Sequence, residues 1–438
     1  MTATPAAGPS APADNKATLH LSRLLRRPVA DSSGETIGKL ADVIVRLRGA
    51  DYPLVTGVVV TVGGREIFVP IDQVISFRDD PIRLNSARLS LRHFERREGE
   101  VLLRADVLGH RLIDVHNARL VRAADLELAR DGDERMVSGV DTRRRPRRLF
   151  GLLGPKDPGD AGVCRDWHDF EWLIGHQGSA LLRGPFGRIR RLKPAQIADL
   201  LEEASKEEET EILGSVHADP ELEADVFEEL DEDLATRLLG ARTDEDIAAV
   251  LARMRADDAA DAIGELPQRR RQPVLDLLPP AQRAKVLTLM GFNPTSAGGL
   301  MSMDFVSLPT MARVADALAR VGEAISLQPE ALTSVHAVDD DGGLRGVTRL
   351  VTLVQSDPAA TLIDVCDTDP VRVGPDTDVP DVAVLMTDYN LITIPVVDDE
   401  RRLLGVITVD DVLEATLPED WRRREAAEPP DARHGNAP

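Results

Sequence analysis

Short β-branched runs dominate the first third of the chain. Val43-Ile44-Val45 and Val58-Val59-Val60 are two of them, and Gly63-Gly64 follows the second. Paired glycines supply the positive φ angles of a tight hairpin, so the pattern predicts paired strands. From residue 194 the period lengthens. Ile197, Leu200, Leu201 and Ala204 fall at i, i+3, i+4 and i+7, and Ile247, Val250, Leu251 and Met254 repeat that spacing. This is one face of an α-helix. Asp219 before Pro220, and Thr243 three residues before Asp246, mark helix starts. Pro267, Pro273, Pro279 and Pro280 are expected to cut the stretch up to residue 290 into short pieces. Successive short helices with one apolar face each predict a solenoid, every element burying its face on the next. Beyond residue 300 strand-like runs such as Leu391 to Val397 return and alternate with helical stretches.

Two internal repeats cut across this pattern. Residues 29–45 align without gaps on residues 112–128, so that Asp31 falls on Asp114, Gly34 on Asn117, Ala41 on Ala124 and Asp42 on Asp125. After one residue of slippage, residues 55–68 match 137–150. Gly34 and Asn117 are both turn formers, and Asp42 is expected to turn or cap the backbone rather than to do chemistry. Further on, residues 338–347 match 397–406 at an offset of 59, with an acidic turn in each copy. Between the helices and this second repeat lies Gly291 to Met303. Its three glycines are expected to permit backbone angles other residues avoid. Its Leu300, Met301 and Met303 predict a packed joint rather than a polar linker.

Composition narrows the chemistry. A length of 438 residues suggests about two to four domains, and 3% aromatic content means aliphatic cores. A net charge of -22 argues against a nucleic-acid partner and is compatible with cations as ligands. Between Asp199 and Asp233 there are sixteen acidic residues and one basic. Residues 193–300 carry -13 and residues 301–417 carry -14, which leaves +5 for the rest. Two acidic domains meeting at an apolar joint repel unless a cation sits between them. Cys164 and Cys366 are far apart in sequence, which predicts neither a disulfide framework nor a zinc site and fits a reducing cytosol. His168, Glu171 and His176 lack the spacing of a zinc-binding helix, while Trp167, Phe170 and Trp172 are expected to anchor their segment to a neighbouring domain. The basic run Arg143 to Arg148 reads as a solvated loop. No stretch approaches the ~18 consecutive apolar residues of a membrane span, and the N-terminus lacks the pattern of a signal peptide. No Ser/His/Asp set, phosphate-binding glycine loop or HExxH pattern occurs, so no enzyme is expected.

Three resemblances rest on particular motifs. Gly34-Glu35-Thr36-Ile37-Gly38, Asp42-Val43 and Phe68-Val69-Pro70 resemble the PRC-barrel family, whose members are mostly adaptor modules. Residues 254–267 (MRADDAADAIGELP) and 292–308 (FNPTSAGGLMSMDFVSL) resemble the cytosolic part of MgtE-type magnesium transporters, the first its helical N domain and the second the junction with a CBS domain. Residues 405–414 (GVITVDDVLE) resemble the CBS signature. The MgtE resemblance covers about residues 194–417. It implies magnesium sensing by acidic residues where the N and CBS domains meet, with Asp257, Asp258 and Asp261 as candidate ligands. The transmembrane domain of that family has no counterpart in this sequence, so transport itself is not expected. CBS pairs often bind adenosine nucleotides. Thr408 and Asp411 stand where the family contacts ribose, which implies one ATP or AMP site; capping of a helix N-terminus is the other role open to Asp411. The first copy, Gly346 to Val351, has no acidic residue at the corresponding place.

The expectation is a multidomain α+β regulatory protein. It comprises a disordered tail (1–18), a β-rich PRC-barrel-like unit (19–150), a connector (151–193), an all-α helical solenoid like the MgtE N domain (194–300), an α/β CBS pair (301–417) and a flexible tail (418–438). Divalent-cation sensing, magnesium first, is the leading function, and an adenine-nucleotide-responsive CBS adaptor is the alternative. A homodimer through the CBS helices is expected, with Ala315, Leu318, Ala319, Val382, Leu385 and Met386 at the interface. Lacking a channel, it is expected in the cytoplasm, at the membrane surface where it meets a membrane transporter as partner.

Overall fold

The structure, a computed structural model, describes residues 18–48, 51–87, 93–97, 99–131, 134–143, 164–173, 187–325 and 327–417. The sequences before residue 18 and after residue 417, Arg144, Arg145, Arg147 and Arg148 of the basic run, and His176 lie outside them. The chain divides into two compact units, residues 1–231 and 232–438.

The first unit opens with β1 (Leu19–His20), the single turn α1 (Leu21–Leu24) and β2 (Pro28–Ala30). Long β3 (Thr36–Arg48) and β4 (Asp51–Val62) follow, then β5 (Arg65–Pro70), β6 (Val74–Ser76) and β7 (Ile82–Leu84). The second copy runs β8 (Glu100–Leu102), a π-helical turn (Leu103–Val107), β9 (Arg111–Asp114), β10 (Arg119–Arg122), β11 (Asp125–Asp131) and β12 (Glu134–Asp141). As expected, Gly63 and Gly64 turn β4 into β5, with φ of 56° and 80°. The two copies interlock: β1 of the first pairs with β11 of the second, and β8 of the second pairs with β3 of the first. Their aspartates are exchanged in the same sense. Asp42 accepts from the backbone N–H groups of Arg104 and Ala105 at 2.7 and 3.0 Å, and Asp125 accepts from that of Ser22 at 3.0 Å. Each copy therefore satisfies the free donors at the start of the other's helical turn. Asp31 and Asp114 accept from the backbone two residues on, as turn formers do. One core joins both copies, with Leu21, Val43, Val58, Leu103, Leu126 and Val140 all in it.

The strand-rich fold continues past residue 150. β13 (Arg165–Asp166) pairs with β12 at Gly139 and Val140, as β5 pairs with β4 at Gly57 and Val58. A 3-10 turn (Trp167–Asp169) follows, as Ile71–Gln73 follows β5, and β14 (Phe170–Trp172) pairs with β9. The second copy is thus completed after an insertion that ungapped alignment does not reach. Trp167 and Trp172 stack with ring centroids 3.7 Å apart, and with Phe170 they enter the barrel core. As expected, they anchor their segment to the neighbouring barrel, whose second copy it completes. Three helices complete the unit: α2 (Pro194–Glu203), α3 (Lys206–Val216) and α4 (Pro220–Glu228). Ser205 and Glu208 form a capping box at α3, and Asp219 caps α4.

The second unit begins with five short helices, α5 (Glu232–Gly240), α6 (Asp244–Leu251), α7 (Ala256–Glu265), α8 (Gln268–Leu277) and α9 (Pro280–Leu289). Pro267 and Pro279 stand at helix starts as expected, but Pro273 lies inside α8. There it forfeits one bond, to a carbonyl in the helix's first turn, and the helix survives. The joint comes next, with α10 (Ala297–Leu300) at its centre. Its glycines are absent from the positive-φ residues of the described chain, so space and not backbone angle selects them. A Cβ on Gly298 would stand 2.7 Å from the Phe292 ring, and one on Gly299 would stand 2.4 Å from the Asn293 carbonyl oxygen. The N–H groups of Ala297 and Gly298 donate to the carbonyls of Thr377 and Pro375 at 2.8 and 2.7 Å, and Met301 is wholly buried. The packed joint is as expected.

The remainder is the duplicated strand-helix region. It contains β15 (Ser307–Pro309), α11 (Val314–Glu323), β16 (Ser334–Val338), β17 (Leu344–Arg349) and α12 (Leu350–Gln355). Then come α13 (Val379–Asp388), β18 (Thr393–Val397), β19 (Leu403–Thr408) and α14 (Val409–Thr416). The copies meet about a local pseudo-dyad at the offset of 59 that the sequence showed. Leu344 N–H donates to the Arg401 carbonyl and Leu403 N–H to that of Gly342, while the hydroxyls of Ser334 and Thr393 lie 2.7 Å apart. Val382 and Met386 are buried in this core and cannot form an interface as expected. On the helices of this region the large apolar residues left exposed are Val351, Val354, Val384 and Leu413.

Candidate functional site

The two acidic motifs meet at the N-termini of α7 and α14. Arg255, the residue before α7, joins them. Its Nε lies 2.6 Å from an Asp258 carboxylate oxygen and its Nη1 lies 2.8 Å from Oδ1 of Asp411. The hydroxyl of Thr408 donates to the other Asp411 oxygen, Oδ2. Thr408 is the residue before α14, yet its hydroxyl turns to Asp411 instead of a backbone donor of the helix. Both oxygens of Asp411, which is 7% exposed, are therefore engaged within the protein. The sequence kept Asp257, Asp258 and Asp261 apart from Thr408 and Asp411; the structure brings Asp257 and Asp258 beside Asp411. Arg255 was missed. Its one available signal was the i, i+3 spacing to Asp258 at a helix start.

Asp257 is likewise 7% exposed, and its Oδ1 is buried without a hydrogen-bond partner. Burial raises its pKa, the positive charge of Arg255 opposes this, and the negative charge of Asp411 adds to it. Asp261 sits one turn further along α7. Desolvation by the surrounding protein, then the carboxylates of Asp257, Glu232 and Glu265, push it up to about 6. Its side chain still presents surface to solvent, so the three like charges are the physical cause that matters most. Among the described residues, no three His, Cys, Asp or Glu side chains converge as a ready-made metal shell. What the cluster offers a hard cation is one desolvated carboxylate oxygen lacking a donor and a second carboxylate a turn away. Mg2+ uses one or two protein carboxylates and keeps several waters, so these residues fit it.

The first copy carries Arg349 and Thr352 at the offset positions of Thr408 and Asp411, and so no carboxylate, as expected. His168 and Glu171 are committed elsewhere: His168 Nδ1 lies 2.8 Å from Asp166, and Glu171 accepts from the Arg188 N–H at 2.8 Å. Both cysteines are free thiols, and burial pushes Cys164 up to about 12. No helix among the described residues is long and apolar enough to cross a membrane.

Three family models match the chain: the PRC-barrel domain over residues 17–89, the MgtE intracellular N domain over 192–295 and the CBS domain over 362–418. The PRC-barrel and CBS models each cover one copy of a unit the structure shows twice. The magnesium transporter MgtE of Thermus thermophilus is 36% identical over 189 residues, 41% of each chain. That of Enterococcus faecalis is 28% identical over 133 residues, 30% of this chain and 29% of the other. The chain therefore spans less than half the length of these relatives. Among solved structures, the cytosolic domain of the Mg2+ channel MgtE in complex with ATP is similar over 52% of this chain and 93% of that one, at 29% identity and a TM-score of 0.49.

Proposed function

From these matches to the intracellular parts of magnesium transporters, we propose that this protein is a magnesium-responsive regulatory module and not an enzyme. Asp257 and Asp261 would hold the ion, with Asp258 and Asp411 completing the acidic surroundings. The observation that carries this reading is the buried, unpartnered Oδ1 of Asp257 beside two further carboxylates. A carboxylate in that position is costly unless it takes a proton or a cation. The protein would act in the cytoplasm on a partner, a membrane transporter being the one that the relatives suggest.

Titration of the full chain with MgCl2, by calorimetry and by melting, tests this. Binding to the folded state alone stabilises by RT ln(1 + [L]/Kd), about 2.7 kcal/mol at a hundredfold excess over Kd. Asp257→Asn should remove most of the gain. An equal melting shift with NaCl at matched ionic strength would mean screening and not binding. In the same calorimeter ATP and AMP address the alternative, a nucleotide-responsive CBS adaptor. Thr408 and Asp411 would bind ribose only after Asp411 gave up its present partners. Heat from nucleotide at millimolar concentration, with none from MgCl2, would replace the magnesium reading by that one.

A further inference from the structure

The acidic cluster at α7 and α14 already contains a cation, the guanidinium of Arg255. One planar group reaches two carboxylates, Nε on Asp258 three residues on and Nη1 on Asp411 156 residues on. Lysine, a point charge, could not make this fork. Its positive charge faces three carboxylates, Asp257, Asp258 and Asp411, and one oxygen of Asp257 is left without a donor. Arg255 itself is only 23% exposed, so it is held by the cluster more than by water.

We propose that Arg255 is a tethered competitor that sets the cation affinity of this cluster, by occupying carboxylates a divalent ion would otherwise engage. The inference rests on the magnesium reading above and gives it a determinant of threshold. An arriving Mg2+ meets either the repulsion of a guanidinium a few ångströms away or the cost of displacing it from Asp411 and Asp258. Either way the affinity of the site is lower than its carboxylates alone would give. The reverse holds by linkage: an ion at Asp257 weakens the hold of the cluster on Arg255. Displacement of Arg255 would free the Oδ1 of Asp411, so the ion and the contact between α7 and α14 become alternatives for one set of oxygens.

The test is MgCl2 titration of the full chain and of Arg255→Gln, by calorimetry, with melting curves against NaCl at matched ionic strength. Arg255→Gln removes the charge and keeps a polar side chain, and it should tighten Mg2+ binding about tenfold. If the wild type binds and Arg255→Gln binds equally or more weakly, the role of Arg255 is overturned while the magnesium reading stands. If neither binds, both are overturned. Should Arg255→Gln fail to fold without the ion, Arg255→Lys keeps a positive charge but loses the fork. It should still bind Mg2+ about threefold more tightly than the wild type; an unchanged or weaker Kd overturns the inference.

Discussion

His336 is wholly buried on β16. Its Nδ1 lies 3.1 Å from the Val306 carbonyl, the Phe305 ring stands edge-on to it, and its Nε2 has no partner. Burial pushes its pKa from 6.5 down to about 4. The unfolded chain takes up this proton near pH 6.5, and the folded chain does not until about pH 4. The stability tied to His336 is thus complete above pH 6.5 and is lost as pH falls towards 4, by at most about 1.4 kcal/mol per pH unit. Asp261 works the other way. Its folded value of about 6 lies above the ordinary 3.8, so its contribution is present below 3.8 and lost as pH rises through 6. The two are separated by comparing the wild type with His336→Leu in thermal melts between pH 7 and 4. The variant should show the shallower acid loss, and parallel slopes would refute the account. At this scale the sequence was informative where a side chain acts locally. Asp219 and Thr243 are the caps their neighbours suggested, and Asp42 is a cap too, though of a turn 62 residues away. It was silent on His336, because a lone histidine within a strand says nothing of its burial.

The exchange between the two barrel copies has a consequence for elements. β1 belongs to the first copy and finds its hydrogen bonds on β11, while β8 of the second finds its own on β3. Asp42 accepts from three backbone donors, two of them in the other copy, against a burial cost that pushes its pKa up to about 6. A fragment ending at residue 89 keeps the whole span of the PRC-barrel match but loses the partner of β1, the β8 neighbour of β3 and two of the three donors to Asp42. It should be unfolded by circular dichroism, while a fragment of residues 17–173 should fold; a folded, monomeric 17–89 would show the copies to be independent. In the full chain, Asp42→Ala leaves three donors without an acceptor and should cost about 1–3 kcal/mol in chemical denaturation, with Asp42→Asn costing less. The repeat itself was legible from Asp31, Gly34 and Asp42. The exchange was not, because residues as far apart as 62 for Asp42 and 103 for Asp125 pair without a local signature. Nor was the match of β13 and the Trp167 turn to β5 and Ile71–Gln73, because an insertion intervenes and the residue types differ.

Across the whole molecule, the acidic motif at Asp257 and the CBS signature at Asp411 were each readable, but their junction through Arg255 depends on the fold of the second unit. The same limit explains why two of the residues expected at an interface, Val382 and Met386, are buried instead. α13 is apolar on two sides, and periodicity alone could not say that Val382 and Met386 face inward while Val384 faces out. The large exposed apolar residues of these helices are Val351 and Val354 on α12, 57% and 66% exposed, with Val384 on α13 and Leu413 on α14. Isolated apolar residues on a surface are ordinary, whereas two on one six-residue helix, with more on its sister helices, suit a partner face. We propose a homodimer through these helices. A copy of this chain is an apt occupant, because the duplicated region already pairs with itself about a pseudo-dyad. Association must overcome the mutual repulsion of two chains of -22 each, so the dimer should strengthen as salt or MgCl2 rises. Light scattering in moderate salt should give about twice the 47.7 kDa chain mass, and the double variant Val354→Asp, Leu413→Asp should give the monomer with its melting behaviour kept. A wild-type monomer at micromolar concentration, both with and without MgCl2, would remove the dimer. A double variant that stays dimeric would show that another surface makes it.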